Sequence, residues 1–263
     1  MISWIYSSPT ILWGALLIVF VVVVAMLGLA VAHRFINVEV RRSQNDVTAA
    51  AMGIVGVAYA VLLAFIAVAT WESYTAADKI VDMEASYIGD LYRETIGLPD
   101  AEVAAIRTDI KKYLEQIVHE EWPSQQAGRI NLAGRPTLVH IHSLIASLDP
   151  KTPRETVIVE ELMRTMNALY DARRTRVLAA NNAIPAIVWW IVAFGSALTV
   201  GFTYLFGTHH FRMHLAVTGM VAASMALVIV LIVALDRPFR GDLSVSREAY
   251  ENVRGSIAAV DQR

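Results

Sequence analysis

The sequence predicts an all-α, multi-pass membrane protein with four transmembrane helices and a cytosolic helical segment between the second and third. Three observations predict it. Of 263 residues 56% are hydrophobic and the mean hydropathy is +0.49, more apolar than an ordinary soluble domain of this length. Four runs, Ile11–Ala32, Val47–Thr70, Ala186–Gly207 and Leu215–Leu235, contain no Asp, Glu, Lys, Arg or His, and each is long enough to cross about 30 Å of hydrocarbon at about 1.5 Å per residue. Between the second and third runs, apolar residues recur at helical spacing among charged ones. The expected division is a membrane hairpin at 1–70, a cytosolic helical domain at 71–185, a second hairpin at 186–235 and a cytosolic C-terminal tail at 236–263.

Composition narrows the function. A formal net charge of -2 points to neither nucleic acid nor an acidic surface partner, and the absence of Cys excludes disulfides, thiolate metal sites and cysteine nucleophiles. Basic residues near the membrane ends set orientation. Lys79, Arg173, Arg174, Arg176, Arg237, Arg240 and Arg247 on one side outnumber Arg34, Arg41, Arg42 and Arg212 on the other. Both termini and the large middle segment are therefore expected in the cytoplasm, with the chain in the cytoplasmic membrane.

In chain order, Trp4 and Tyr6 are expected at the headgroup level. The first span is rich in Val, Ile and Leu all round, as suits a lipid-facing helix. Ala30-Val31-Ala32 has the look of a cleavage site, but Met1–Thr10 lacks a basic side chain and the run is too long for a signal sequence, so an uncleaved anchor is expected. The segment 33–46 turns the chain back.

The second span differs. Ala49, Gly53, Gly56, Ala60, Ala64 and Ala67 recur every three or four residues and share one face, where backbones can approach closely. Tyr59, Leu62, Phe65 and Ile66 lie off that face. One reading is helix packing. The other is that several copies surround an axis and the bulky residues form an apolar neck that gates by dewetting. No proline or paired glycine interrupts the junction at Trp71 and Glu72, so one helix should run on to about Ile96. Its aqueous half carries an apolar stripe of Ala76, Ile80, Met83, Tyr87 and Leu91. The acids Glu72, Asp78, Asp82, Glu84, Asp90, Glu94, Asp100 and Glu102 face only Lys79 and Arg93 over residues 71–102.

Pro99, Asp100 and Glu102 start a second helix, with Val103, Ile106, Ile110, Leu114 and Ile117 buried and an end near Trp122-Pro123. A third helix should run from Pro136 to Leu148. Thr152-Pro153-Arg154-Glu155 is a capping box that opens a fourth, ending in Asp171–Arg176. Arg164, Arg173, Arg174 and Arg176 on it are expected to lie antiparallel to the acidic helix near the membrane mouth. Asn181, Asn182 and Pro185 break the pattern at membrane entry, either as a cap for the third span or as an ion-coordinating kink. The third span carries Trp189, Trp190 and the small residues Gly195, Ser196 and Ala197. After the fourth comes the turn Asp236, Arg237, Pro238, Phe239, Arg240, Gly241 and Asp242, and 243–263 reads as an amphipathic or frayed tail.

No catalytic constellation emerges, and no cofactor or metal is expected. His119-Glu120-Glu121 lacks a second His, and His140 and His142 at i,i+2 face apart on a helix. His209, His210 and His214 read as interfacial side chains. Spans free of ionisable groups argue against a proton-coupled transporter.

Four motifs fall in order with this span layout: WESYTAA after the second span, EWP at 121–123, RVLAANNAIPAIVWW at 176–190 and LDRPFRGDLSV at 235–245. Together they resemble the bestrophin-like family of mainly bacterial membrane proteins, over about Asn45 to Val245. A more distant similarity is to bestrophin anion channels, in a Trp-Glu pair after the second span, an Ile-Pro pair at the third and a Pro-Phe-Gly turn after the fourth. The resemblance implies a pentamer, cytosolic termini and a pore lined by the second span, with the neck among Leu62, Phe65 and Ile66. Arg240 splits Phe239 from Gly241 and only Asp242 follows closely, a departure from the calcium-sensing pattern of that family. The expected function is a homo-oligomeric channel passing inorganic anions passively, with selectivity from the neck and from Arg173, Arg174 and Arg176. The alternative is a membrane-anchored interaction or sensory module acting through residues 71–185.

Overall fold

The computed structural model describes residue 6 and residues 8–262; Trp4 lies outside the described residues. All regular secondary structure among those residues is helical. Helix α1 spans Thr10–Phe35, α2 Val38–Ser43, α3 Asn45–Glu94, α4 Asp100–Gln116, α5 Trp122–Gln126, α6 Gly134–Ala146, α7 Pro153–Asn181, α8 Ala186–Tyr204, α9 Phe211–Leu235 and α10 Glu248–Asp261. Helices α1, α3, α8 and α9 are long and apolar enough to cross a membrane. The expected single long helix is present: α3 runs for 50 residues without a break and ends in a 3₁₀ turn at Thr95–Gly97. The chain divides into two compact units. One is Met1–Glu72 with Ala183–Asp236 and Gly241–Leu243; the other is Ser73–Asn182 with Arg237–Arg240 and Ser244–Arg263.

In the membrane unit, Tyr59 and Leu63 of α3, Val192 of α8 and Ile232 of α9 form a small apolar cluster. The ring of Tyr59 lies against Gly195, where a Cβ would sit 2.2 Å from it. Its hydroxyl donates to the Val192 carbonyl at 2.7 Å and meets the Ser196 hydroxyl at 2.6 Å. The small residues of the third span thus make room for one tyrosine. Asp242 accepts from the Thr10 backbone N–H at 2.8 Å and from the Thr10 hydroxyl, satisfying donors at the start of α1 that no local side chain caps. Those donors hold the Asp242 carboxyl below the usual range.

The second unit has one core, drawn from α3, α4, α6, α7, α10 and the segment 237–245. The capping box is formed: Thr152 accepts from the Glu155 backbone and Glu155 accepts from Thr152. Trp122 sits at the centre, with Phe239 at 5.6 Å and Tyr250 at 5.8 Å, both edge-on.

Three sequence-based expectations are corrected here. The buried face of α3 is Ala77, Val81, Glu84, Ala85, Ile88, Leu91 and Tyr92, not the stripe through Ala76, Ile80, Met83 and Tyr87. The apolar pattern was read around Glu84, which is itself inside. The helix beginning at Asp100 does not stop at Trp122-Pro123. It passes through a π-helical turn, Ile117–Glu121, into α5. Burial here falls in pairs four residues apart, Tyr113-Leu114, Ile117-Val118 and Glu121-Trp122. An α-helix drifts by about 40° over each such repeat, and one wider turn resets the phase. Helix α7 continues past Arg176 to Asn181. Of the two readings of 243–263, amphipathic or frayed, the structure has the amphipathic one: α10 buries Tyr250 and Ile257 in the core.

Candidate functional site

Two arrangements stand out, one in each unit. The first is the exposed side of the second span. Ile54, Val57, Val61, Phe65 and Val68 recur at three- and four-residue spacing and are all exposed, Phe65 by 71%. Gly53 and Gly56 are open as well, with nothing within 4 Å of where a Cβ would stand. Of the face of small residues Ala67 packs against the apolar cluster of its own chain, while Ala49, Gly53, Ala60 and Ala64 are exposed. The four expected neck residues separate. Tyr59 is buried at 7% exposure and held by α8, and Leu62 and Ile66 pack against the same cluster. Only Phe65 projects away from it. Sequence pattern ranked these four by bulk; which of them a neighbouring helix covers depends on the packing of α8 and α9, and no local signal reports it.

The second arrangement is a closed ion-pair cluster. Glu84 of α3 and Glu121 of the π turn meet Arg173 and Arg176 of α7, and three of the four residues have no exposure while Arg173 has 5%. Arg176 donates through Nε to Glu84 at 2.5 Å and through Nη2 to Glu121 at 2.9 Å. Arg173 holds Glu121 with two parallel bonds of 2.9 and 2.6 Å. Glu121 also accepts from the Gly134 backbone at 2.8 Å. Glu84 accepts from the hydroxyls of Tyr113 of α4 at 2.8 Å and Tyr250 of α10 at 3.0 Å. Arg173 in turn donates to the Tyr113 hydroxyl at 3.1 Å.

Two carboxylates balance two guanidiniums, so the cluster buries no net charge. That is the condition under which ions are tolerated in an apolar core. Burial opposes ionisation of Glu121, but the bonds and charges of Arg173 and Arg176 prevail and hold its carboxyl below the usual range. Burial and the nearby Glu84 charge push the Tyr113 and Tyr250 hydroxyls well above their ordinary values, so both stay protonated donors. Arg176 stays charged, because burial is outweighed by Glu84.

These positions revise the reading of the basic helix. Arg173 and Arg176 are not presented to a passing ion; they are consumed by carboxylates in the core, and Arg174 alone of the three is exposed. The charge-matching of the acidic and basic helices is real, but it runs through Glu84 and inside the unit. Glu121 was missed, because in His119-Glu120-Glu121 nothing local marks which carboxylate turns inward. The remaining sequence-selected residues lie elsewhere. Trp71 and Glu72 are exposed on α3. Asn181 ends α7, Asn182 is extended, and Pro185 precedes α8. Asp236 accepts from the Ile184 backbone N–H at 2.7 Å, just before α8, whose first turn has no side-chain cap. After the fourth span, Arg237 and Pro238 lead into buried Phe239, Pro238 accepts from the Val245 N–H at 2.8 Å, and Gly241 has φ +87°, a value that favours glycine. His140 pairs with Asp109 at 2.5 Å. Among the described residues no group of three or more His, Asp or Glu side chains is placed to hold a metal.

Comparison with known proteins gives a consistent picture. The family model for the bestrophin-like domain matches residues 19–250. A point variant of a bacterial bestrophin homolog from Klebsiella pneumoniae superposes with a TM-score of 0.68 at 13% identity, covering 92% of this chain and 99% of that one. A second variant of that homolog gives 0.67 at 14%, covering 95% and 98%. A crystal structure described as a membrane protein gives 0.68 at 14%, covering 92% and 97%. At these identities the likeness is one of fold. No curated protein matches the sequence.

Proposed function

Because the chain belongs to the bestrophin-like domain family and carries four helices able to span a bilayer, we propose that it is a homo-oligomeric channel that conducts ions passively. The pore in this reading is lined by the second span. The single observation that carries it is the unpartnered side of that helix: bulky Val57, Val61 and Phe65 lie exposed beside open Gly53 and Gly56. Gathered around an axis, the bulky stripe makes an apolar neck and the small face lets neighbouring copies approach. A pentamer is the assembly that the family likeness favours.

The sign of the ion is a separate point. Anion conduction drew its support from the family resemblance, with selectivity from the neck and from Arg173, Arg174 and Arg176, and two of these arginines are neutralised in the core. On the aqueous continuation of the same helix Glu72, Asp78 and Asp82 are exposed, against Lys79. Exposed carboxylates beside a pore raise the local cation concentration and disfavour anions. The favoured reading is therefore conduction of monovalent cations, in place of anions. Purified protein in planar bilayers under a KCl gradient tests it. A reversal potential near the potassium equilibrium value supports cation conduction, one near the chloride value restores the anion reading, and silence of a protein that is monomeric in detergent rejects the channel.

A module that acts by binding a partner through residues 71–185 is the competing class. A stoichiometric partner recovered with the full chain, lost when the exposed groove of Ile80, Met83, Tyr87 and Asp171 is altered, with no conductance in bilayers, would favour it.

A further inference from the structure

The membrane unit has a basic end that the channel reading does not use. It is built from the segments 33–46 and 208–214. Asn45 exchanges two hydrogen bonds with the backbone of Gly207, at 3.0 and 2.9 Å. Gly207 lies so close to the other segment that a Cβ would stand 2.2 Å from the Arg42 backbone nitrogen. The two segments are therefore one joined surface. On it Arg41 is buried, donating to the Tyr204 carbonyl at 3.1 Å and facing His33 Nδ1 at 2.8 Å, while its Nε has no hydrogen-bond partner. Arg42 touches His209. Arg34, Arg42, His209, His210 and Arg212 are exposed.

Charge on this surface is not balanced. Arg34, Arg41, Arg42 and Arg212 form no ion pair among the described residues, in contrast to Arg93, Arg107, Arg164, Arg173, Arg176, Arg247 and Arg254 of the other unit. Glu39 and Asp46 are the only carboxylates in the two segments. Beside the basic segment 208–214 lies a largely apolar groove of about 360 Å³, lined by Met52, Phe206, Met213, Val217 and Val221 with the polar Thr203, Thr208 and His214. Thr208 precedes His209 and Met213 follows Arg212, so groove and charge are contiguous in the chain.

We propose that this end of the membrane unit binds an anionic phospholipid, its phosphate on Arg42, His209 and Arg212 and an acyl chain in the groove of Met52, Phe206, Met213 and Val217. The occupant must be anionic at one end and apolar at the other, and must lie along membrane-spanning helices. Guanidiniums at the headgroup level are the side chains suited to a lipid phosphate. A free phosphate would leave the groove without a role, and a zwitterionic lipid would leave the surplus charge unanswered.

The test is native mass spectrometry of the full chain released from detergent and titrated with dioleoyl phosphatidylglycerol, with dioleoyl phosphatidylcholine and with inorganic phosphate. Phosphatidylglycerol should bind in preference to phosphatidylcholine. The double variant Arg42→Ala/Arg212→Ala, at exposed positions, should bind it roughly thirtyfold more weakly, from about a factor of five per arginine. Val217→Trp should weaken it with both arginines in place, by filling the groove. An unchanged thermal midpoint for each variant shows that folding is intact. Equal phosphatidylglycerol binding by wild type and the double variant, unimpaired binding by Val217→Trp, or displacement of the lipid by inorganic phosphate at equal concentration would each overturn the assignment.

Discussion

Glu84 and Arg176 form a 2.5 Å ion pair with neither side chain exposed, 92 positions apart in the chain. The pair joins the helix that continues the second span to the helix that leads towards the third. Glu121 and Arg173 complete it, and Tyr250 ties the last helix to the same carboxylate. With Tyr113 of α4, five helical segments supply side chains to one neutral cluster, whose cost of desolvation is offset only while every member is present.

Removing one member should therefore be worse than removing a charge from the surface. Arg176→Met leaves Glu84 and Glu121 facing each other in an apolar core and is expected to cost roughly 3–5 kcal/mol. Arg176→Lys should not restore stability, since an ammonium cannot reach two carboxylates in the same geometry. Thermal unfolding of the detergent-purified full chain measures both. A lysine variant as stable as wild type would contradict the cluster's dependence on the guanidinium.

The cluster also sets a pH dependence. Glu121 is held below its ordinary range by Arg173 and Arg176 against the effect of burial. A carboxylate depressed in the folded state contributes stability that is present above its unfolded value and lost as pH falls towards the folded value. The thermal midpoint should accordingly fall with acidification below the usual carboxylate range, and more shallowly in Glu121→Gln.

Glu94 has the opposite sign. Burial raises its carboxyl despite a hydrogen bond from Thr165 at 2.8 Å, and its second oxygen is buried without a partner. A raised carboxyl favours folding at low pH and loses that contribution as pH rises through its folded value. Glu94→Gln should raise the thermal midpoint at neutral pH and leave it little changed in acid.

The second span offers a separation of roles. Tyr59→Phe removes hydrogen bonds to Val192 and Ser196 and should lower stability by about 1 kcal/mol with conductance retained. Phe65→Ala, at a residue that touches little of its own chain, should change single-channel conductance with stability retained. Recording and unfolding of both variants check the split.

Asp78→Asn/Asp82→Asn should move the reversal potential in a KCl gradient away from the potassium value, because both carboxylates are exposed on the continuation of that helix. An unmoved potential would remove these residues from the conduction path.

Much of this architecture was legible in residue pattern. Uncharged runs give the four spans, the unbroken passage through Trp71-Glu72 gives the 50-residue helix, and Thr152 with Glu155 gives the start of α7. The cluster was not legible, for a physical reason. Periodicity assigns charged residues to water, so Glu84 was excluded from the face it occupies, and Ile80, Met83 and Tyr87 took its place. The inward turn of Glu121 depends on a π turn, which has no sequence signature. The role of Arg173 and Arg176 depends on carboxylates contributed by distant helices.

The claim at the centre is conduction by an oligomer through the second span, and bilayer recording of purified wild-type and Phe65→Ala protein tests it most directly. Discrete current steps are expected for both, with a different unitary conductance in the variant. Membranes that stay silent with either protein, or steps of identical size from the two, would contradict it.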